Sequence, residues 1–384
     1  MKVCFISQYS STNNAGASLS MFNIANEMAY RGIDVTIVLA NKNNLENIEI
    51  DDSIRILQIP FYSMRMTLNM MKWDTHFKFS IKSLYNNFVA MKIAMLLNED
   101  RPDVIHINGL DNAIGAQVAH FLKIPYVWHI RQFLEDDFGQ KLFHEKYIYS
   151  LVRNANEVIA ISEDVRENFE PIIGRPITVI YNGIPVEKYT QDRKMDFTSN
   201  IKMLLAGRIY KQKGQDTAVK ATKDLLEFFG GGGTRGIYLT LVGQIEDESY
   251  AAEIRQFVET HNLQDHVRIL EHTDDLSELR KECNIGLTCS KREAFGRVTI
   301  ENMMSGMLAV GADSGGTAEI IQNEINGLLY QADDPDDLVR CIKYVISDPN
   351  KASSIADYGK KYAINTYSIQ SVVDRVLNLY KSIV

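Results

Sequence analysis

Twice along this chain, short unbroken Val/Ile/Leu runs alternate with stretches whose apolar residues recur at helical spacing. A strand that is apolar at every position must be buried on both faces. A parallel sheet meets that demand when the helices connecting its strands cover both sides. In the first half, residues 2–6, 33–39, 104–107, 124–128, 158–161 and 178–180 read as strands. Residues 17–30, 112–122 and 142–154 read as helices between them. In the first of these helices Leu19, Phe22, Ala25 and Met28 share one face, and Arg31 and Gly32 stop it. In the second half the strands are 201–206, 237–242, 267–270, 285–288 and 308–311. Its helices are 214–228, 249–261, one around 299–305, 335–347 and 352–366. A last helix covers 369–383, with Val372, Val376, Leu377 and Tyr380 on one stripe. The halves join in the polar stretch 187–200, which has no apolar periodicity. The expected domains are therefore 1–186 and 187–366, followed by a terminal helical segment, 367–384.

A chain of 384 residues is long enough for two such domains. Its net charge of −8 is evenly spread: residues 1–190 carry 18 Lys/Arg against 21 Asp/Glu, and the remainder 23 against 28. No broad basic field exists, so nucleic acid is not an expected partner, and an anionic ligand must be held by a few placed cations. No run approaches the roughly 18 apolar residues a membrane-spanning helix needs. The N-terminus enters a strand without the core of a signal peptide. Cys4, Cys283, Cys289 and Cys341 form no C-x-x-C, so neither a zinc knuckle nor a redox pair is indicated, and the cytosol is the expected compartment. Cys4 and Cys289, in or beside apolar runs, read as core fillers. Gly231, Gly233 and Gly236 satisfy G-x-G-x-x-G, but they follow a helix and precede a strand, the reverse of a dinucleotide site. They read as a surface turn. No P-loop sequence occurs.

Ligands of open α/β sheets bind beyond the carboxyl ends of the strands, so the residues just after each strand carry the argument. Residues 207–214 (GRIYKQKG) follow the first strand of the second half. Arg208 and Lys213 there, beside a helix N-terminus, suit a diphosphate; the plainer alternative is a solvated basic turn. Residues 290–301 (SKREAFGRVTIE) follow the strand at 285–288. Glu293 in the loop can accept hydrogen bonds from sugar hydroxyls, and Glu301 further along can take a ribose diol. Phe295 and Gly296 make a turn, and the amides of Gly296, Arg297 and Val298 can point at phosphate. Two unrelated surface acids are the alternative. Gly315 and Gly316 form a third strand-to-helix turn. In the first half Gly16 opens a helix after the first strand and could back a phosphate or sugar. His129 and Arg131 follow the strand at 124–128, and His106 sits near another strand end.

Metal use has little support. Residues 135–137 are an acidic loop, and the D-x-D at Asp334 to Asp336 reads as an Asp cap followed by Pro335 at a helix start. Residues 61–98 carry Arg65, Lys72, Lys78, Lys82 and Lys92 against Asp74, a local charge of +4. Trp73, Phe77, Phe79, Ile81, Leu84 and Phe88 are interleaved. Such a segment can lie on an anionic bilayer, or it can be a cationic face over an ordinary core helix.

Taken together these segments resemble glycosyltransferase family 4, the retaining group with the GT-B fold. Its G-R-x-x-x-x-K-G signature is matched by Gly207 to Gly214, and its E-x7-E signature by Glu293 and Glu301 with Phe295 and Gly296 between. Residues 179–184, Ile161 with Ser162, and residues 102–106 are also similar to the family. The segment 128–133 is similar to enzymes of bacterial capsule or exopolysaccharide synthesis. The resemblance implies an α/β fold of two Rossmann-like domains facing across a cleft, an N-terminal acceptor domain and a C-terminal nucleotide-sugar domain. The terminal helix is expected to pack back on the N-terminal domain. It implies a metal-independent, retaining hexosyltransferase that moves a sugar from a UDP- or GDP-sugar to a glycan or lipid-linked acceptor, with no cofactor. The expected location is the cytoplasm, at the inner face of the membrane. Arg208 and Lys213 would bind the diphosphate, Glu293 the sugar hydroxyls and Glu301 the ribose, with Gly16, Phe295, Gly296, Arg297 and Val298 completing the donor site. His129 would lie near the transferred sugar. The departures are Ala15-Gly16 for a usual glycine pair, Arg297 where many members have Leu, and Ile130 after the histidine where Asp is usual. A nucleotide-sugar epimerase and a non-catalytic partner subunit are the competing readings.

Overall fold

The structure, a computed structural model, describes residues 1–8, 16–40, 45, 48–67, 73–135, 139–191, 195–229, 236–273 and 275–384. Ala15, Lys72, residues 136–137 and 192–194, Gly231 and Gly233, all considered above, lie outside them. The chain forms two compact units, Met1–Gly183 with Ile369–Val384, and Ile184–Ser368.

The first unit is built on a seven-stranded parallel sheet. Its spatial order is Arg55–Gln58, Asp34–Leu39, Lys2–Ser7, Val104–Asn108, Tyr126–Ile130, Glu157–Ala160 and Thr178–Val179. The second is built on a six-stranded parallel sheet: Val267–Leu270, Ile237–Val242, Ile201–Ala206, Ile285–Thr288, Leu308–Ala312 and Leu328–Tyr330. In both, the first strand of the unit lies in the middle and the order reverses beside it, which is where open α/β sheets bind ligands.

Several expectations need correction. The strand placed at 124–128 is Tyr126–Ile130, because its ladder with Val104–Asn108 and Glu157–Ala160 runs on past Trp128. His129 is thus inside the strand rather than beyond it. Residues 142–154 split into a short strand, Gln140–Leu142, paired antiparallel with Arg65–Thr67, and a helix, Glu145–Arg153. The helix placed at 299–305 begins at Arg297, where Gly296 (φ +87°) precedes the first turn. Helix Glu163–Ile173 was not expected, although its signals are present: the Ser162 hydroxyl accepts from the Val165 amide at 3.1 Å, acids fill the first turn and Gly174 ends it in a left-handed conformation. Asp334 does cap helix Pro335–Ser347, accepting from the amides of Asp336 and Asp337. All four cysteines are buried.

The last helix, Ile369–Lys381, belongs to the first unit. Its Val372, Val373, Val376 and Tyr380 are buried among Phe5, Phe22 and Val127. Arg31 donates to the Gln370 carbonyl at 3.0 Å and Arg375 to the Val179 carbonyl at 2.6 Å. Both tryptophans of the chain, Trp73 and Trp128, lie in the first unit, so tryptophan fluorescence follows that unit alone. Truncating the fully buried Val376 to Ala removes two methyl groups and leaves a void. Val376→Ala should therefore lower the stability read by fluorescence in urea by about 2 kcal/mol. An unchanged midpoint would mean that this helix does not hold the first unit together.

Candidate active site

In the second unit the loops after three neighbouring strands meet. The loop after Ile201–Ala206 is pinned to the loop after Ile285–Thr288 by the Lys291 amide, which donates to the Gln212 carbonyl at 2.9 Å. Gly214 sits between them at φ +66°, where a Cβ would lie 2.2 Å from the Cys289 carbonyl oxygen, so only glycine fits. The turn after Leu308–Ala312 closes on the same place: the Gly316 amide donates to the Glu293 carbonyl at 2.7 Å. Gly315 (φ +50°) would put a Cβ 2.6 Å from that oxygen.

These approaches bring Arg208, Lys213 and Glu293 together. The Lys213 ammonium donates to Glu293 Oε1 at 2.5 Å, and the Ser290 hydroxyl donates to the same oxygen at 2.6 Å. Glu293 Oε2 accepts no protein hydrogen bond among the described residues, and the side chain keeps 21% of its surface exposed. Arg208 donates to Glu246 Oε1 at 2.8 Å and stacks 5.1 Å from the Tyr210 ring. Burial works against the charge of Glu293, but the ammonium of Lys213, the Ser290 hydroxyl and then Arg208 outweigh it and hold the carboxyl below its ordinary value. Burial likewise works against the Lys213 charge, and Glu293 outweighs it and raises the ammonium above its ordinary value. The result is a charged, partly exposed constellation at the strand ends, with N–H donors on two cations and one open carboxylate oxygen.

Glu301 occupies a separate, buried cluster. Arg280 donates to its Oε2 and Arg297 to its Oε1, each at 2.7 Å. Arg297 also reaches the Tyr189 hydroxyl at 3.3 Å, and the Arg280 guanidinium lies 5.1 Å from the Tyr189 ring centre. Both Glu301 oxygens therefore already hold a cation, and a diol has only their second lone pairs to use. The departure at Arg297 has this partner: the guanidinium neutralises Glu301. Phe295 is buried and Val298 falls in the first turn of helix Arg297–Met304. Sequence reasoning missed Arg280, Ser290 and Glu246; none has a motif of its own, and all three are identified only by what they touch.

In the first unit Gly16 opens helix Gly16–Tyr30 and is exposed, with nothing within 4 Å of an added Cβ. His129 is fully buried and stands beside Asn108, which stands beside Ser7. The His129 Nδ1 is 3.0 Å from His106 Nε2, whose other nitrogen is 2.6 Å from the Tyr380 hydroxyl. Arg131 bonds Asn108 and Asn182. Burial, and then the nearby Arg131, hold both histidines well below the usual imidazole value. Burial also pushes Arg131 down to about 9. Of the basic segment, Arg65 is committed to an ion pair with the buried Asp111 at 2.8 Å. Phe79 is buried against Phe143, with ring centres 4.8 Å apart. Helix Trp73–Asn98 nevertheless leaves Phe77, Ile81, Leu84, Phe88, Met91 and Met95 exposed, interleaved with the exposed Lys78 and Lys92 and with the half-buried Lys82, whose ammonium lies 4.5 Å from the Phe79 ring centre. No helix of the described residues is long and apolar enough to cross a membrane.

Comparison with known proteins gives a consistent picture. Residues 15–188 match the family described as Glycosyltransferase Family 4, and residues 189–362 the family described as Glycosyl transferases group 1. The chain is 28% identical over 315 residues to the uncharacterized glycosyltransferase MJ1607 of Methanocaldococcus jannaschii, covering 74% of this chain and 77% of that one. It is 23% identical over 337 residues to the capsular polysaccharide biosynthesis glycosyltransferase CapM of Staphylococcus aureus, covering 81% and 83%. Among solved structures, Anabaena Alr3699/HepE in complex with UDP superposes over the full length of both chains with a TM-score of 0.79 at 21% identity, so the two share a fold.

The Lys213–Glu293 pair has a definite pH signature. Because the Glu293 value is depressed, its stabilisation is complete above the ordinary carboxylate value and is lost as pH falls through the depressed one. Because the Lys213 value is raised, its share is complete below the ordinary lysine value and is lost only as pH rises through the raised one. Thermal melts of the wild type and Glu293→Gln should differ most at neutral pH and converge in acid. A constant gap across the acid range would show that the pair adds nothing.

Proposed function

The chain belongs to the glycosyltransferases that these two families describe, and from that premise we propose that it is a retaining, metal-independent hexosyltransferase using a UDP- or GDP-sugar. The observation that carries this reading is the convergence of Arg208, Lys213 and Glu293 at one strand edge, with Glu293 Oε1 held by Lys213 and Ser290 and Oε2 left open. A departing nucleotide diphosphate gains negative charge in the transition state. Cations already fixed in place stabilise that charge without reorganising. Lys213 has N–H donors beyond the one given to Glu293, and Arg208 has donors beyond the one given to Glu246. Both would bind the diphosphate, assisted by the amides of Gly296, Arg297 and Val298. Glu293 Oε2 would accept a hydroxyl of the sugar. Glu301 would meet the ribose, Gly16 would back the donor's phosphate or sugar, and His129 would lie near the transferred sugar and the acceptor.

The acceptor in this reading is a glycan or lipid-linked glycan of the bacterial surface, which the relationship to CapM supports. A lipid-linked acceptor calls for a membrane contact, and the exposed apolar face of helix Trp73–Asn98 with its lysines suits an anionic bilayer. The cytoplasmic face is then the working location.

A thermal-shift and nucleotide-release screen over UDP-, GDP- and ADP-sugars should single out the donor. Arg208→Ala and Glu293→Gln should each keep the fold and lose about 2–4 kcal/mol of transition-state stabilisation, roughly 30- to 1,000-fold in kcat/KM. Wild-type turnover in both would overturn the site. A donor converted without any acceptor would point to an epimerase instead. In sedimentation with vesicles, binding should favour anionic over zwitterionic lipid and weaken in Phe77→Ser/Phe88→Ser. Equal sedimentation with both lipids would remove the membrane contact.

A further inference from the structure

Tyr380, His106 and His129 form one hydrogen-bonded line that starts on the last helix and ends in the first sheet. The Tyr380 hydroxyl is 2.6 Å from His106 Nδ1, and His106 Nε2 is 3.0 Å from His129 Nδ1. All three residues are fully buried, and His106 also packs against Phe5 with ring centres 4.9 Å apart. At the far end, His129 Nε2 is buried and has no hydrogen-bond partner among the described residues. The same holds for the NH2 nitrogen of Arg131, two residues on. Buried polar atoms that the chain leaves unpaired call for water or a ligand, and these two stand two residues apart at one strand end.

The line admits only two proton arrangements when every member is neutral. Neutrality follows from burial, which lowers both imidazoles and raises the phenol, with the Arg131 charge adding to the effect on the histidines. In the first arrangement Tyr380 donates to His106 Nδ1, and His106 Nε2–H donates to His129 Nδ1. His129 then carries its proton on Nε2. In the second, every bond is reversed: His129 Nδ1–H donates to His106 Nε2, and His106 Nδ1–H donates to the Tyr380 oxygen. The phenolic proton of Tyr380 would then need an acceptor. Tyr380 makes no further hydrogen bond among the described residues, so the second arrangement strands a buried hydroxyl. The first leaves the His129 Nε2–H as its one donor without a partner among the described residues, but at a strand end, where open α/β sheets meet ligands, whereas the stranded phenol of the second lies within the packed apolar core.

We infer that Tyr380 and His106 are positioning residues that hold His129 as its Nε2–H tautomer, so that the imidazole offers a ligand oxygen a hydrogen bond and cannot take a proton from it. The inference rests on the reading of His129 as a group beside the transferred sugar, and it refines that role. With the Arg131 NH2 it makes a pair of buried donors, which suits an oxygen-rich ligand such as a sugar or a carboxylate-bearing sugar. It also removes His129 from the candidates for a general base that deprotonates the acceptor. The tautomer is imposed by a phenol 274 residues away in sequence from His106, so the last helix, besides packing the unit, would set the chemistry of this strand end.

The test is nitrogen NMR of the full chain labelled with 15N-histidine, which separates protonated from unprotonated ring nitrogens. In the wild type, His129 should show Nε2 protonated and Nδ1 unprotonated, and His106 the same. A wild-type spectrum with His129 Nδ1 protonated overturns the inference without any variant. Tyr380→Phe removes one oxygen and little volume. It should leave the fold intact, shift His106 and His129 to mixed tautomers, and lower kcat/KM for transfer roughly tenfold, the low end of the loss known for partners that orient metal-bound histidines. A His129 spectrum identical to wild type in a folded Tyr380→Phe also overturns it. The tautomer is read without turnover, so the outcomes separate. A locked Nε2–H form in a chain that transfers no sugar would sink the proposed function and leave the relay standing. Transfer with the opposite tautomer would do the reverse.

Discussion

The ammonium of Lys213 and the carboxylate of Glu293 meet because a parallel sheet buried on both faces has only its strand ends for polar chemistry. Strands Ile201–Ala206 and Ile285–Thr288 are neighbours, so the loops that leave them must pass each other. Gly214 lets the first loop touch the Cys289 carbonyl, and the Gly316 amide fixes the backbone of Glu293 from the other side. Once the backbones are set, the opposite charges hold each other ionised against burial that would otherwise discharge both. The site is thus charged because its two halves are close, and close because glycines stand where any Cβ would collide.

The two units answer the same constraint differently. The strand ends of the second unit carry full charges, partly open to solvent and mutually neutralised. Those of the first carry neutral, buried groups, His106, His129, Ser7 and Asn108, tied by hydrogen bonds, with one guanidinium whose charge burial weakens. A charged edge suits an anion. A neutral edge with unsatisfied donors suits a polyhydroxylic group, which would pay less for leaving water there than an ion would.

Most of the two-sheet plan was legible because buried parallel strands are apolar throughout. Residues 201–206, 237–242 and 267–270 were placed to the residue. Legibility failed where tertiary pairing, not local pattern, decides. Leu328–Tyr330 and Arg55–Gln58 are edge strands too short to show a period, and Tyr126–Ile130 is extended past Trp128 by its neighbours' ladders. Among side chains, Arg208, Lys213 and Glu293 were visible because they follow strands within motifs. Arg280 was not: it lies on the short helix Ser277–Glu282, amid other charges, and only its burial against Glu301 distinguishes it from Lys281 beside it. Tyr380 was read as one more member of an apolar stripe, since nothing in a periodic pattern says that a phenol ends on an imidazole.

Tyr380 also shows why the chain's return to its first unit matters beyond packing. An apolar residue at that place would fill the same space among Phe5 and Val127, and the sheet would be no less covered. It would leave His106 Nδ1 without a donor, and His106 would then have no preferred direction in which to pass its proton to His129. Burial of Val372, Val373 and Val376 fixes which face of the helix meets the core. The phenol uses that placement to choose between two otherwise equivalent imidazole forms. The apolar core thereby sets where the helix sits, and a single oxygen on it sets what the strand end can offer a ligand.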